Sequence, residues 1–217
     1  MPKFKKNKFY FGKKQKRMDD DDDDDDDNDP NQMSYTESLI SVNGNNIHFH
    51  CDITANTCFK LINSFNLAIK NIQAMDSINP TQYPIYLHIN TDGGEVYKVL
   101  AVISHIKKLP YKVITICEGC VASAGVLLSL AGHERWIYDN AYMLVHEIRS
   151  GMWGKYSECI DDMYNNKKIM KDIKKYFKKE TNDKFPEEIM EKILKRDILL
   201  NPKKCLKYGL VDKVISL

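Results

Sequence analysis

A serine hydroxyl attacks a carbonyl when a base takes its proton, a third group orients that base, and N–H donors receive the oxyanion. This chain offers a candidate for each part. Ser123 sits among small residues in Gly119-Cys-Val-Ala-Ser-Ala-Gly125. His146 ends the apolar run Ala141-Tyr-Met-Leu-Val-His146, at a strand end from which a side chain reaches an edge. Two acids follow, Asp197 in Arg196-Asp197 and Asp212 in Gly209-Leu-Val-Asp212. A second small-residue turn lies upstream in Asn90-Thr-Asp-Gly-Gly94. Small neighbours let a backbone turn sharply and let a substrate carbonyl come close. The chemistry these residues would do is acyl transfer. The segment around Ser123 suits an N-cap serine equally well, and either acid is by default a surface or capping residue. Locally, both questions stay open.

The elements that must position these residues follow from apolar periodicity and from the breakers. Residues 112–116 are β-branched and read as a buried strand; 126–131 are apolar and helix-forming. Residues 85–89 read as a strand that runs into the turn at 90–94, followed by a helix over 95–109 that Pro110 stops. Upstream, 47–51 is a strand, and Asp52 or Thr54 caps a helix reaching about Met75. Downstream come strands at 135–138 and 141–146, then a long charged helix over 156–180. Pro186 and Pro202 open two further helices, and 211–215 closes as a strand. Strands and helices alternate, so the class is α/β with mainly parallel pairing and right-handed crossovers. Ligand sites in such sheets lie beyond the carboxyl ends of the strands. Both small-residue turns fall at such ends, which a merely capping serine does not require.

Composition narrows the function classes. The 217 residues are 43% hydrophobic, enough for one domain with a sizeable core, residues 34–217. No apolar run is long enough for a membrane span, and the basic N-terminus lacks the apolar stretch of a secretory signal. The six cysteines are scattered through expected strands and helices, as buried thiols in a reducing, cytoplasmic-type compartment would be. Cys117 and Cys120 form one CxxC with no second half, so no metal site is expected. Residues 1–33 read as a disordered charged tail: basic over 1–17, then an unbroken Asp run from Asp19 to Asp27. Without these blocks the body is nearly balanced in charge, which argues against nucleic acid as the main partner.

Taken in order, these motifs resemble the proteolytic subunit of ATP-dependent Clp protease, within the crotonase-like superfamily. The resemblance covers about 47–215. It rests on Ile89-Asn-Thr-Asp-Gly-Gly94, Gly119-Cys-Val-Ala-Ser-Ala-Gly125, Met143-Leu-Val-His146, Lys195-Arg-Asp197 and Tyr208-Gly-Leu-Val-Asp212. It implies an α/β fold of repeated β-β-α-type units with a protruding handle helix, here 156–180. It implies Ser123 as nucleophile, His146 as base, Asp197 as the orienting acid, and the backbone N–H groups of Gly94 and Ala124 as the oxyanion hole. It further implies polypeptide substrates, stacked homo-oligomeric rings and a possible AAA+ unfoldase partner, with no cofactor in this subunit and ATP used only by that partner. The chain departs from the family at Thr91-Asp92, where Ser-Pro is usual, and at Glu147-Ile148, where Gln-Pro is usual. The family's axial-loop segment is not recognisable.

Two other functions fit a fold of this kind. One is a catalytically inactive ring subunit with a structural or regulatory role. The other is a crotonase-type acyl-CoA enzyme, which uses the oxyanion hole and needs no serine triad. Fold alone cannot separate them, so the site must.

Overall fold

The structure, a computed structural model, describes residues 39–216. The expected charged tail over 1–33 and the expected start of the body at Ser34 lie outside the described residues. Strands β1 (Ile40–Asn43) and β2 (Asn46–Phe49) form an antiparallel hairpin, turned at Gly44 with φ 58°. Helix α1 (Ala55–Met75) starts at Thr54, whose hydroxyl accepts from the Thr57 N–H at 3.2 Å, while the Thr54 N–H donates to Thr57 Oγ1 at 2.9 Å. This reciprocal cap satisfies two otherwise orphaned donors. It also fixes the chain just after Ile53, which matters below. Cys58, Leu61, Phe65, Ala68 and Ile72 recur at helical spacing and form the buried face of α1.

The chain continues through β3 (Ile85–Thr91), α2 (Val96–Ile106), β4 (Val113–Ala122), α3 (Ala124–Ser129), β5 (Glu134–Tyr138) and β6 (Tyr142–Leu144). Then come α4 (Tyr156–Glu180), α5 (Glu187–Leu194), β7 (Leu199–Leu200), α6 (Pro202–Lys207) and β8 (Lys213–Ile215). The main sheet has the order β1-β2-β3-β4-β5-β8 and is parallel from β2 onward. β4 forks. Its residues 114–117 pair with β5 and its residues 120–122 pair with β6, which takes β7 on its other side. The architecture is the α/β, parallel-dominated one expected. The expected order omits β1 and β7, which are short and half-exposed and carry little apolar signal.

The core lies between the sheet and helices α1 to α3, with Ile47, Phe49, Ile85, Leu87 and Ile89 fully buried. The apolar series on α4 divides. Ile173 and Phe177 are buried and Ile169 packs against the core, whereas Ile160 and Met163 are exposed together with Tyr156 and Tyr164. The N-terminal half of α4 thus stands clear of the body. Among the described residues, no helix is long and apolar enough to cross a membrane.

One polar node ties the far end of the sheet together. Arg135 on β5, itself only 7% exposed, donates from Nε and Nη2 to the two carboxylate oxygens of Asp212 at 2.9 and 2.6 Å. Its Nη1 donates to the carbonyl of Glu180, at the end of α4. The same carboxylate accepts the Arg135 backbone N–H. Asp212 is therefore committed to Arg135, far along the chain from His146, and does not orient the histidine. Burial alone would raise the Asp212 carboxyl, but the hydrogen bonds and charge of Arg135 outweigh it and hold the group below its usual range. With a depressed folded value, the stabilisation is complete above the ordinary carboxylate range and is lost as pH falls through the folded value. Asp212→Asn should cost about 1–3 kcal/mol at neutral pH, because a buried guanidinium loses its charge partner. Urea unfolding should show that deficit shrinking toward pH 3. A deficit independent of pH would contradict this account of the node.

Candidate active site

Ser123 is the joint between β4 and α3. Its backbone lies at φ 55°, ψ −123°, a region that costs a residue with a Cβ roughly 1–3 kcal/mol. The Ser123 N–H donates to the Leu144 carbonyl at 2.9 Å, continuing the β4–β6 ladder for one residue. The carbonyl has already turned into the helix, where it accepts from the Val126 N–H. The side chain caps nothing, and its hydroxyl bonds to none of the described residues. The capping reading of this serine therefore fails on geometry. What forces the turn is the close seating of α3 on β3: a Cβ at Gly125 would come within 2.3 Å of Thr91 Cγ2.

The second small-residue turn meets the first backbone to backbone. Gly93 and Gly94 have φ of 101° and 143°. A Cβ on Gly93 would lie 2.5 Å from Ser123 Cβ and 3.1 Å from the Ala124 nitrogen. A Cβ on Gly94 would lie 2.1 Å from the Ile53 carbonyl oxygen. Three bonds hold this turn. Gly93 N–H donates to Thr91 Oγ1, Ile53 N–H donates to the Gly93 carbonyl at 2.7 Å, and Glu95 N–H donates to the Ile53 carbonyl. The N–H groups of Gly94 and Ala124 are donated to none of the described residues. Two free donors thus flank a free hydroxyl, an arrangement able to stabilise charge on a carbonyl oxygen.

Strand register places the other two residues. β4 pairs with β6 in parallel, Ala122 opposite Leu144, so Ser123 and His146 follow at adjacent strand ends. β7 runs antiparallel to β6 with Leu144 opposite Leu199. Continued two residues outward, that register sets His146 opposite Asp197. The side chains point elsewhere. The Nδ1 of His146 donates to the Glu147 carbonyl, and since a carbonyl only accepts, Nδ1 carries a proton, which in the neutral tautomer leaves the lone pair on Nε2. Asp197 instead accepts from Arg149 Nη2 at 2.6 Å. Both members of that pair are more than half exposed, 58% and 59%. Arg149 was invisible to sequence reasoning; its only signal is a cation three residues beyond the candidate base.

The thiols nearby are not rival nucleophiles. Burial raises Cys120, and it pushes Cys117 and Cys51 up to about 12 and Cys58 up to about 11. At neutral pH all four are neutral thiols, the unreactive form. Among the described residues the six cysteines are free; Cys58, Cys117 and Cys205 are buried as expected, whereas Cys51, Cys120 and Cys159 are half-buried. Asp92 and Glu147, where the sequence departs from its resemblance, are both exposed. A polar depression lined by Lys107, Glu134, Arg135, Glu180 and Asp212 includes none of the Ser123 constellation; Lys107 is paired with Glu180, Arg135 with Asp212, and Glu134 with Lys112 outside it. Sequence reasoning put His48, His50 and His88 in the strands at 47–51 and 85–89 without a site role; the sheet brings them together with Glu118.

Comparison with known proteins agrees with this geometry at the level of family. The family described as Clp protease matches residues 62–217. The ATP-dependent Clp protease proteolytic subunit of Deinococcus radiodurans is 31% identical over 153 residues, covering 70% of this chain and 74% of that protein.

Exposed ion pairs contribute at most about 1 kcal/mol, so the hold of Arg149 on Asp197 is weak. Arg149→Gln should leave stability within about 0.5 kcal/mol of the parent. It should raise the rate at which a fluorophosphonate labels Ser123, by up to about fivefold, the factor equivalent to about 1 kcal/mol. Slower labelling would show that Arg149 supports the site and does not restrain it.

Proposed function

The chain belongs to the Clp protease family, and from that premise we propose a serine endopeptidase that cleaves unfolded or short polypeptides through an acyl-enzyme at Ser123. The observation that carries the proposal is the left-handed backbone of Ser123, with its hydroxyl uncommitted, beside two uncommitted N–H groups. A strained serine that caps nothing has a use elsewhere. In the proposed reaction His146 Nε2 takes the Ser123 proton as Oγ attacks the peptide carbonyl. The oxyanion is received by the N–H groups of Gly94 and Ala124. His146 then gives its proton to the departing amine, and water releases the acyl group by the same steps in reverse.

Asp197 enters this scheme by replacing the Glu147 carbonyl on His146 Nδ1–H. Either acceptor keeps the same tautomer. Only the carboxylate adds charge that stabilises the imidazolium formed in the reaction. The change requires Asp197 to leave Arg149, a step that an exposed pair permits at small cost. The exposed apolar residues Ile160, Met163, Tyr156 and Tyr164 on α4 suit pairing of rings face to face. We extend the proposal to a stacked homo-oligomeric ring served by an AAA+ unfoldase, with ATP consumed by that partner and no cofactor here.

A second reading has an observation in its favour. With Asp197 on Arg149 and His146 on Glu147, the side chains as they stand suit a ring subunit that does no chemistry. Fluorophosphonate labelling separates the two without knowledge of the substrate. The peptidase should label once per chain, Ser123→Ala and His146→Ala should not label, and Asp197→Asn should hydrolyse peptides at least about a hundredfold more slowly. A parent chain that stays unlabelled while assembling into rings would establish the inactive subunit instead.

A further inference from the structure

Three neighbouring parallel strands carry histidines and a carboxylate to one patch of the sheet, away from the serine constellation. In the β2–β3 register His48 lies opposite His88, and in the β3–β4 register His88 lies opposite Ile116. His50 is two residues beyond His48 and Glu118 two beyond Ile116, so a period of two brings all four side chains to the same face. The contacts are specific. His50 Nε2 lies 3.0 Å from Glu118 Oε2, and His88 Nδ1 lies 2.6 Å from Glu118 Oε1. The His48 ring stacks on His88 at 4.4 Å and meets His50 edge-on at 5.8 Å. One nitrogen from each of His48 and His50 and one oxygen of Glu118 lie within 4.8 Å of one another.

We propose that His48, His50 and Glu118 bind a divalent transition-metal ion of the zinc class, with His88 orienting the carboxylate. Bonds of about 2.0–2.2 Å in a tetrahedral site set ligand atoms about 3.3 Å apart. The His50–Glu118 separation is already near that value, and side-chain rotations of the half-buried His48 close the remainder. The donor set of two imidazoles and one carboxylate suits zinc, cobalt or nickel; magnesium and calcium ask for oxygen. His88 supplies the outer bond that metal-binding carboxylates usually have: its Nδ1–H donates to the Glu118 oxygen turned away from His50. Its Nε2 lies 3.3 Å from Asn46 Oδ1, a contact that is a hydrogen bond when Nε2 also carries a proton. Water completes the fourth position on the exposed side.

Nothing in this site depends on serine chemistry. Its position still bears on the fold, because His50 is three residues before Ile53 and Glu118 five before Ser123. A bound ion would clasp β2 to β4 just upstream of both small-residue turns. The test uses the full chain, stripped with a chelator and titrated with cobalt(II). We expect one equivalent bound with the visible bands of a four-coordinate nitrogen–oxygen site and no sulfur charge-transfer band, which excludes Cys117 and Cys120. His50→Ala and the isosteric Glu118→Gln should each weaken binding at least tenfold, and His88→Ala about tenfold or more. Zinc at a hundredfold excess over the parent's Kd should raise the parent Tm by about 5 °C and that of these variants by about half as much or less. Weak binding by the Asp19–Asp27 run would persist in every variant and so is distinguishable. Ser123→Ala should bind as the parent does, so this result is independent of the peptidase reading. Absence of the visible spectrum, or a spectrum and affinity unchanged in His50→Ala and Glu118→Gln, would overturn the proposal.

Discussion

The contact between the backbones at Gly93 and Ser123 is the constraint on which the rest depends. With 2.5 Å between the Cβ of Ser123 and the place where Gly93 would carry one, the two turns can coexist only if one has no side chain. That proximity is imposed from three directions. The cap at Thr54 sets Ile53, which grips the Gly93–Gly94 turn by two backbone hydrogen bonds. α3 is seated on Thr91 through Gly125. The ladder to β6 holds the Ser123 N–H. Hydrogen bonds of this kind contribute about 1 kcal/mol each, together enough to offset the roughly 1–3 kcal/mol that the Ser123 conformation costs. The strain is local and the restraint is distributed, and this is how a fold keeps a reactive group in one place.

What could be read from the chain divides along the same line. Long periodic elements were legible: 156–180 is helical over its whole expected span because period, length and flanks all agree. The meeting of two small-residue turns was legible because both follow buried parallel strands. β1 and β7 were not, since each is short and half-exposed and takes its strand form from its neighbour. The choice between Asp197 and Asp212 was not legible from local residues either. What bears on it is Arg135, which holds Asp212 from 77 residues away in sequence, and no spacing rule reaches that far. Family resemblance favoured Asp197; the structure supplies the physical reason why Asp212 is unavailable.

The backbone and the side chains of the candidate site stand in different conditions. The ladders fix the strand ends beside which Ser123, His146 and Asp197 leave the backbone, one to two residues beyond the last paired positions. Where the His146 and Asp197 side chains point is set by two bonds near the surface, to the Glu147 carbonyl and to Arg149. Such bonds are exchanged at small cost in water. The fold therefore specifies a constellation tightly and its engaged state loosely. A second chain that covers this face would remove water and strengthen whichever pairing survives.

One irregularity in β4 serves both the serine and the histidine patch. Across the β3–β4 pair, Ile89 faces Cys117 and Thr91 faces Val121, so four steps on β4 answer two on β3. The extra residues form a bulge, and Gly119 at φ 56° takes its sharpest bend. Bulges re-aim side chains and increase local twist. Here the bulge falls where β4 changes partner from β5 to β6, so no ladder on that side opposes it. Before the bend, Glu118 turns outward to His50 and His88; beyond it, the strand is offset enough to bring Ser123 over Gly93. Up to Cys117 β4 runs along β5, and beyond the bulge it runs along β6. The bulge thus lies between the Glu118 contacts with the histidines and the Ser123 turn, and a change in its length would alter the offset between them.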